Sequence, residues 1–247
     1  MITLRSREEL ESIRRAGSVV RLVLEAVRGM ARPGVATIEL NARAEDIIRK
    51  HRARPAFKGY KGFPASICTS INKVVVHGIP SKRCLKEGDI VSIDVGVELN
   101  GYFADAAETF GVGAISNEAS RLISVAQKAL ERGISVARPG NRLSDISSGI
   151  QECVEQAGFS VVRAFVGHGI GSEMHEEPEI PNFGKPHRGV RLEPGMVLAI
   201  EPMINAGGYE VQVLEDGWTA VTKDKSLSAH FEDTVAVSVD DPEILTQ

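Results

Sequence analysis

Cysteine is scarce in this chain and badly spaced for cross-linking. Cys68, Cys84 and Cys153 are an odd number with no Cys-x-x-Cys pair, which excludes a disulfide framework and a thiolate zinc site and points to a reducing cytoplasm. Long apolar runs are missing too: residues 196–200 form one of the longest, far short of the ~20 residues of a membrane helix. With no apolar signal core at the N-terminus, the chain reads as cytoplasmic and unanchored. There is no excess of positive charge, since 29 basic and 33 acidic residues give a net −4, so specific nucleic-acid binding is not expected. Several catalytic signatures are also lacking. No G-x-S-x-G elbow or Walker loop occurs, the window opened by Gly111-Val112-Gly113 ends at Ser116, and His175-Glu176-Glu177-Pro178 is followed by Glu179 where a helical zinc-protease motif needs His.

What is present suits one folded domain. Hydrophobic residues at 43% and charged residues at 25% are those of a globular protein, and 247 residues fit one large domain, 1–247. Ser6 and Glu9 form a capping-box pattern ahead of apolar residues at helical spacing, so a first helix is expected to about residue 30 and a second from Thr37 to His51. The segment Ala31-Arg32-Pro33-Gly34 recurs 106 positions later as Ala137-Arg138-Pro139-Gly140. His77-Gly78-Ile79 recurs as His168-Gly169-Ile170, and the run from Gly88 to Asp94 as that from Gly195 to Glu201, each with an acid six positions after glycine. Three matches in one order predict two pseudo-symmetric halves, about 1–120 and 121–247, each with a helix pair and a buried strand ending in an acid.

Asn100-Gly101 between strand-like segments predicts a two-residue hairpin turn. In that register Asp94 lies opposite Ala107, and Asp105 projects from the same face as Asp94, its diagonal neighbour at roughly 7–8 Å. Two solvated acids on an exposed face are the commoner arrangement, but the apolar residues around Asp94 argue against exposure. Like charges at that range repel unless a cation intervenes or a proton is shared. Glu201 follows the apolar stretch 197–200 and Glu232 precedes another at 234–237. With His168, set among Gly167, Gly169 and Gly171, these acids make the oxygen-rich, one-nitrogen set that a pair of divalent ions accepts. A single histidine is more often a surface or satisfied core residue, which describes His51 and His187; placement raises His77, His168 and His175 above that.

These residues resemble a known family, the methionine aminopeptidases of the short bacterial type I form. The likeness covers nearly the whole chain and rests on Asn72-Lys73-Val74-Val75-Val76-His77-Gly78-Ile79-Pro80, Ile93-Asp94-Val95, residues 101–105, Gly167-His168-Gly169-Ile170-Gly171, Met174-His175-Glu176-Glu177-Pro178, Glu201-Pro202-Met203, Asp216-Gly217-Trp218 and Ser228-Ala229-His230-Phe231-Glu232. It implies an α+β pita-bread fold, a central antiparallel sheet flanked by helices. It also implies removal of N-terminal methionine from nascent chains when the second residue is small, by water activated at a dinuclear metal centre. The implied metal ligands are Asp94, Asp105, His168, Glu201 and Glu232, with Asp105 and Glu232 bridging two divalent ions (cobalt, manganese, iron or zinc). By the same resemblance Glu201 relays the proton, His77 contacts the scissile amide, and His175 stabilises the oxyanion. A methionine pocket maps to Tyr60, Phe63, Cys68, Met174 and Trp218, and a monovalent cation to carbonyls near Asn72, Val74 and Ser228. Lys61 stands where some relatives carry His, Phe57 replaces a small residue, and Met174 replaces a common Phe.

The implied partners are nascent polypeptide N-termini and, transiently, the ribosome, with no membrane or specific nucleic acid, and a monomer is expected. The clustered Lys58, Lys61 and aromatics at 54–64 read more simply as a solvated face than as an RNA contact. The family's second-residue rule predicts that this chain keeps Met1, because Ile2 is large. Two alternatives are an X-Pro-specific peptidase of the same fold, for whose usual extra N-terminal domain 247 residues leave no space, and a non-catalytic binding relative, against which all five ligand positions stand.

Overall fold

The structure, a computed structural model, describes residues 2–247; Met1, whose retention the sequence predicts, lies outside them. Two helices come first, α1 (Arg7–Met30) and α2 (Thr37–Lys50). The Ser6 hydroxyl accepts from the Glu9 amide and the Glu9 carboxylate accepts from that of Ser6, closing the predicted capping box. The strands β1 (Arg54–Pro55), β2 (Cys68–Ile71), β3 (Val74–Val76), β4 (Ile90–Leu99) and β5 (Tyr102–Gly111) complete the first half. The second opens on α3 (Asn117–Ser135) and α4 (Leu143–Gln156), followed by β6 (Ser160–Val161), β7 (Val166–Gly169), β8 (Glu176–Pro181), β9 (Val197–Ile200) and β10 (Met203–Asn205). The chain ends with β11 (Val211–Val213), β12 (Ala220–Thr222), β13 (Ser228–His230), β14 (Asp233–Ala236) and β15 (Glu243–Ile244).

The repeated Ala-Arg-Pro-Gly segments do the same job twice. Each links the helices of a pair, and Gly34 and Gly140 both take φ 92°, a left-handed conformation open to glycine at little cost. One side of α1, including Ile13, Val20, Val23, Leu24 and Val27, is buried and packs on β4 and β5. Each such aliphatic side chain contributes about 1.5–3 kcal/mol by leaving water, which fixes the helix against the sheet. A second core gathers Leu122, Ile146, Ile150 and Leu198. The two cores exchange residues: Ile90 packs into the second, and Val197, Ala199 and Ala236 into the first.

All ladders are antiparallel. One has the order β1-β4-β2 with β5 also on β4, another β15-β14-β9-β7-β8, and two three-stranded sheets run β13-β10-β6 and β11-β12-β3. The halves meet where Ala107 and Glu232 exchange backbone hydrogen bonds, 2.9 and 3.2 Å long. The hairpin has the expected register, Leu99 opposite Tyr102 and Asp94 opposite Ala107. Two details differ from expectation. Asp94 does not end its strand, because β4 continues through Val95 and Val97 to pair with β1, whereas Glu201 does lie just past β9. The two His-Gly-Ile segments are also dissimilar, with His77 in a loop at φ 59° and His168 inside β7. No described helix is long and apolar enough to cross a membrane.

Candidate metal centre and substrate cavity

Strand register delivers the acids to one place. Cys68 of β2 pairs with Asp94 of β4, Asp94 with Ala107 of β5, and Ala107 bridges to Glu232, one row running across both halves. Residues of such a row share a face, and Asp105, two positions from Ala107, shares it too. Asp105 is anchored through Thr234, whose hydroxyl accepts from the Asp105 amide at 2.9 Å and donates to its carbonyl at 2.8 Å. His168 arrives on β7, wedged between β8 and β9. That wedge explains its glycines: a Cβ on Gly167 would overlap the Ala199 carbonyl, and one on Gly169 that of Glu177. Gly169→Ala is therefore expected to cost about 2 kcal/mol or more, lowering the melting midpoint by roughly 4–8 °C; an unchanged midpoint in calorimetry contradicts this packing.

The ligand set is buried and short of partners. Asp94, Asp105, His168 and Glu232 are all under a tenth exposed. Asp94 Oδ1, Asp105 Oδ1, Glu232 Oε1 and His230 Nε2 are buried with no hydrogen-bond partner among the described residues. Burial pushes Asp94 up to about 6 and Glu201 up to about 7. Burial and then the neighbouring acids hold Asp105 and Glu232 well above the usual carboxylate range. Partnerless buried carboxylates are costly, and a divalent cation is the partner their oxygens suit. Asp105, His168 and Glu232 place donor atoms within 4.8 Å of one another, and so do Glu201, His230 and Glu232. The donors are carboxylates and imidazoles, so the residues fit hard to borderline divalent ions. The ring of His168 is oriented by its own strand: Nδ1 lies 2.9 Å from the Gly169 carbonyl, the donor tautomer that leaves Nε2 free for the site.

A cavity of about 290 Å³ opens above these acids, smaller than the ~300–1,000 Å³ of drug-sized sites and scaled to a single side chain. Tyr60, Phe63, Cys68, His77, His175 and Trp218 line it as expected. Trp218 makes edge contacts with Phe63 at 5.1 Å and His77 at 6.0 Å between ring centres, and Tyr60 stacks on His175 at 5.2 Å. Burial keeps His77 neutral, down at about 4, and burial and then His168 keep His175 neutral, down at about 3. Phe57 and Lys61 line the same space.

Met174 is a correction. It is buried but lines a neighbouring cleft with Arg54, Ala56 and Phe103, not the cavity. It sits beside His175 in the turn before β8, and with His175 facing the cavity its own side chain serves the core of the first half. Phe165, Val76 and Met203 line the cavity without having been predicted, and so does His230. For His230 a signal was available: it lies two residues before Glu232, the spacing that puts extended side chains on one face.

The sequence pattern of Metallopeptidase family M24 matches residues 11–238. The chain is 55% identical over 246 residues to a methionine aminopeptidase of Clostridium perfringens, covering 100% of this chain and 99% of that one. It is 50% identical over 247 residues to methionine aminopeptidase 1 of Bacillus subtilis, covering 100% of each. The crystal structure of the methionine aminopeptidase of Thermotoga maritima matches the whole of both chains with a TM-score of 0.99 at 46% identity. A prolidase from Pyrococcus furiosus matches less well, with a TM-score of 0.79 and 25% identity over 99% of this chain and 65% of that one.

Proposed function

Given that the chain belongs to Metallopeptidase family M24, and within it to the methionine aminopeptidases of pita-bread fold that remove N-terminal methionine, we propose how its own residues do so. Asp94, Asp105, His168, Glu201 and Glu232 would hold two divalent ions, cobalt, manganese, iron or zinc. When bound, the pair makes a water nucleophilic near neutral pH and polarises the scissile carbonyl. Glu201 takes the proton of the attacking water on a carboxylate oxygen and hands it to the departing amine. His175, neutral, donates a ring N–H to the developing oxyanion, and His77 contacts the scissile amide and assists the proton's movement. The acidic floor receives the substrate's free amino group, which restricts cleavage to the first residue. The methionine side chain lies among Tyr60, Phe63, Cys68 and Trp218, polarizable groups suited to a thioether, and a shallow subsite beyond the scissile bond admits small second residues. Carbonyls around Asn72, Val74 and Ser228 are the proposed seat of a monovalent cation. The substrates are nascent chains met transiently at the ribosome by a cytoplasmic monomer.

The observation that carries this reading is the convergence of four acids, three of them with partnerless buried oxygens, on the floor of an aromatic cavity. Mass spectrometry of Met-Ala-Ser with purified protein tests it, beside Met-Leu, Leu-Ala and X-Pro controls. Loss of Met from Met-Ala-Ser alone, abolished by chelator and restored by Mn²⁺ or Co²⁺, is expected. X-Pro cleavage, or inertness with every added metal, contradicts it. Trp218→Ala removes one wall of the cavity and is expected to lower kcat/KM for Met-Ala-Ser about ten- to a hundred-fold. An unaltered kcat/KM in steady-state assays places the methionine side chain elsewhere.

A further inference from the structure

The five-residue ligand set leaves one buried group without an assignment. His230 closes β13, is 2% exposed, and its Nε2 has no hydrogen-bond partner among the described residues. That nitrogen lies 3.6 Å from Glu201 Oε2 and 3.9 Å from Glu232 Oε2. Neither distance is a hydrogen bond, yet both suit two ligands of one ion, since donors ~2.1 Å from a cation stand about 3.0–3.4 Å apart at octahedral or tetrahedral angles and farther when wider. Glu201 is flanked evenly: Oε1 faces His168 Nε2 and Oε2 faces His230 Nε2, each at 3.6 Å.

The backbone of His230 is held as firmly as that of an established ligand would be. The Thr109 hydroxyl donates to the His230 carbonyl at 2.7 Å and accepts from its amide at 2.8 Å, and Ser92 Oγ, 2.7 Å away, donates to the same hydroxyl. These three polar groups are buried and mutually satisfied, so the unsatisfied nitrogen at their end is not a sign of loose packing.

We propose that His230 Nε2 is a sixth protein ligand of the metal centre, a second imidazole nitrogen for the ion held by Glu201 and Glu232. This rests on the two-ion reading above. A centre with two imidazoles binds zinc or cobalt in preference to manganese more strongly than a centre with one.

The test is a count of coordinated imidazoles. Protein loaded with Co²⁺ alone is expected to show two sets of contact-shifted histidine ring resonances in proton NMR, and His230→Gln one set. In metal titrations His230→Gln is expected to lower Zn²⁺ affinity about ten- to a hundred-fold relative to Mn²⁺ affinity. A single set in the wild-type protein overturns the inference and leaves the two-ion reading standing. No shifted histidine at all overturns both. The wild-type count decides the matter even if the variant does not fold.

Discussion

Replacing Glu232 by Gln is expected to lower turnover of Met-Ala-Ser by ~10³-fold or more while making the chelated protein more stable than the unaltered one. The two effects have one cause. Glu232 is buried among Asp105, Glu201 and Asp94, and burial and those acids hold its carboxyl well above the usual range. A group in that position is costly to keep charged without a cation and indispensable once cations are to be held. The amide retains the volume and one acceptor oxygen but brings no charge, so it relieves the repulsion and gives up the attraction. Elemental analysis after dialysis checks the metal loss, and calorimetry in chelator checks the gain. A variant that keeps its full metal content, or that melts below the unaltered protein in chelator, shows that Glu232 is an ordinary structural acid.

Much of this centre was legible in the sequence because it is built from local geometry. The Asn100-Gly101 turn fixes the register of ten strand pairs, and that register alone puts Asp94 and Asp105 on one face. The left-handed glycines Gly34 and Gly140 mark the repeated helix connections. The reading failed where a side chain's direction depends on distant chain. Met174 and His175 are adjacent in sequence, and nothing local determines which one faces the cavity; the core of the first half takes Met174. The edge strand β1 is hidden for a similar reason, since Val97 and Glu98 of β4 pair with Pro55 and Arg54, a partner no periodicity reveals. In the sequence His230 is a lone histidine, and lone histidines are usually structural. Only the assembled site brings Glu201, from the end of β9, to His230 Nε2 beside the neighbouring Glu232.

The same buried charges predict how stability responds to pH. Asp94, raised to about 6, and Glu201, raised to about 7, keep protons in the folded chain that the unfolded chain has already released, as do Asp105 and Glu232, held well above the usual carboxylate range by burial and the neighbouring acids. Their contribution falls as pH rises through the folded values. His77 and His175, depressed to about 4 and 3, and His230, lowered by burial, act in the opposite sense. The unfolded chain protonates these histidines below about pH 6.5 and the folded chain does not, so stability climbs with pH up to that point. The two sets oppose one another between about pH 4.5 and 6.5, and above that window only the acids still titrate. The chelated protein is therefore expected to have a nearly level midpoint from pH 5 to 6.5 and a falling one from pH 6.5 to 8. Saturating Mn²⁺ requires the same carboxylates deprotonated, so loaded protein loses the high-pH decline and the gap between the two melting curves widens with pH. Midpoints of chelated and loaded protein that move in parallel from pH 6.5 to 8 would falsify the assignment of these four acids to a cation.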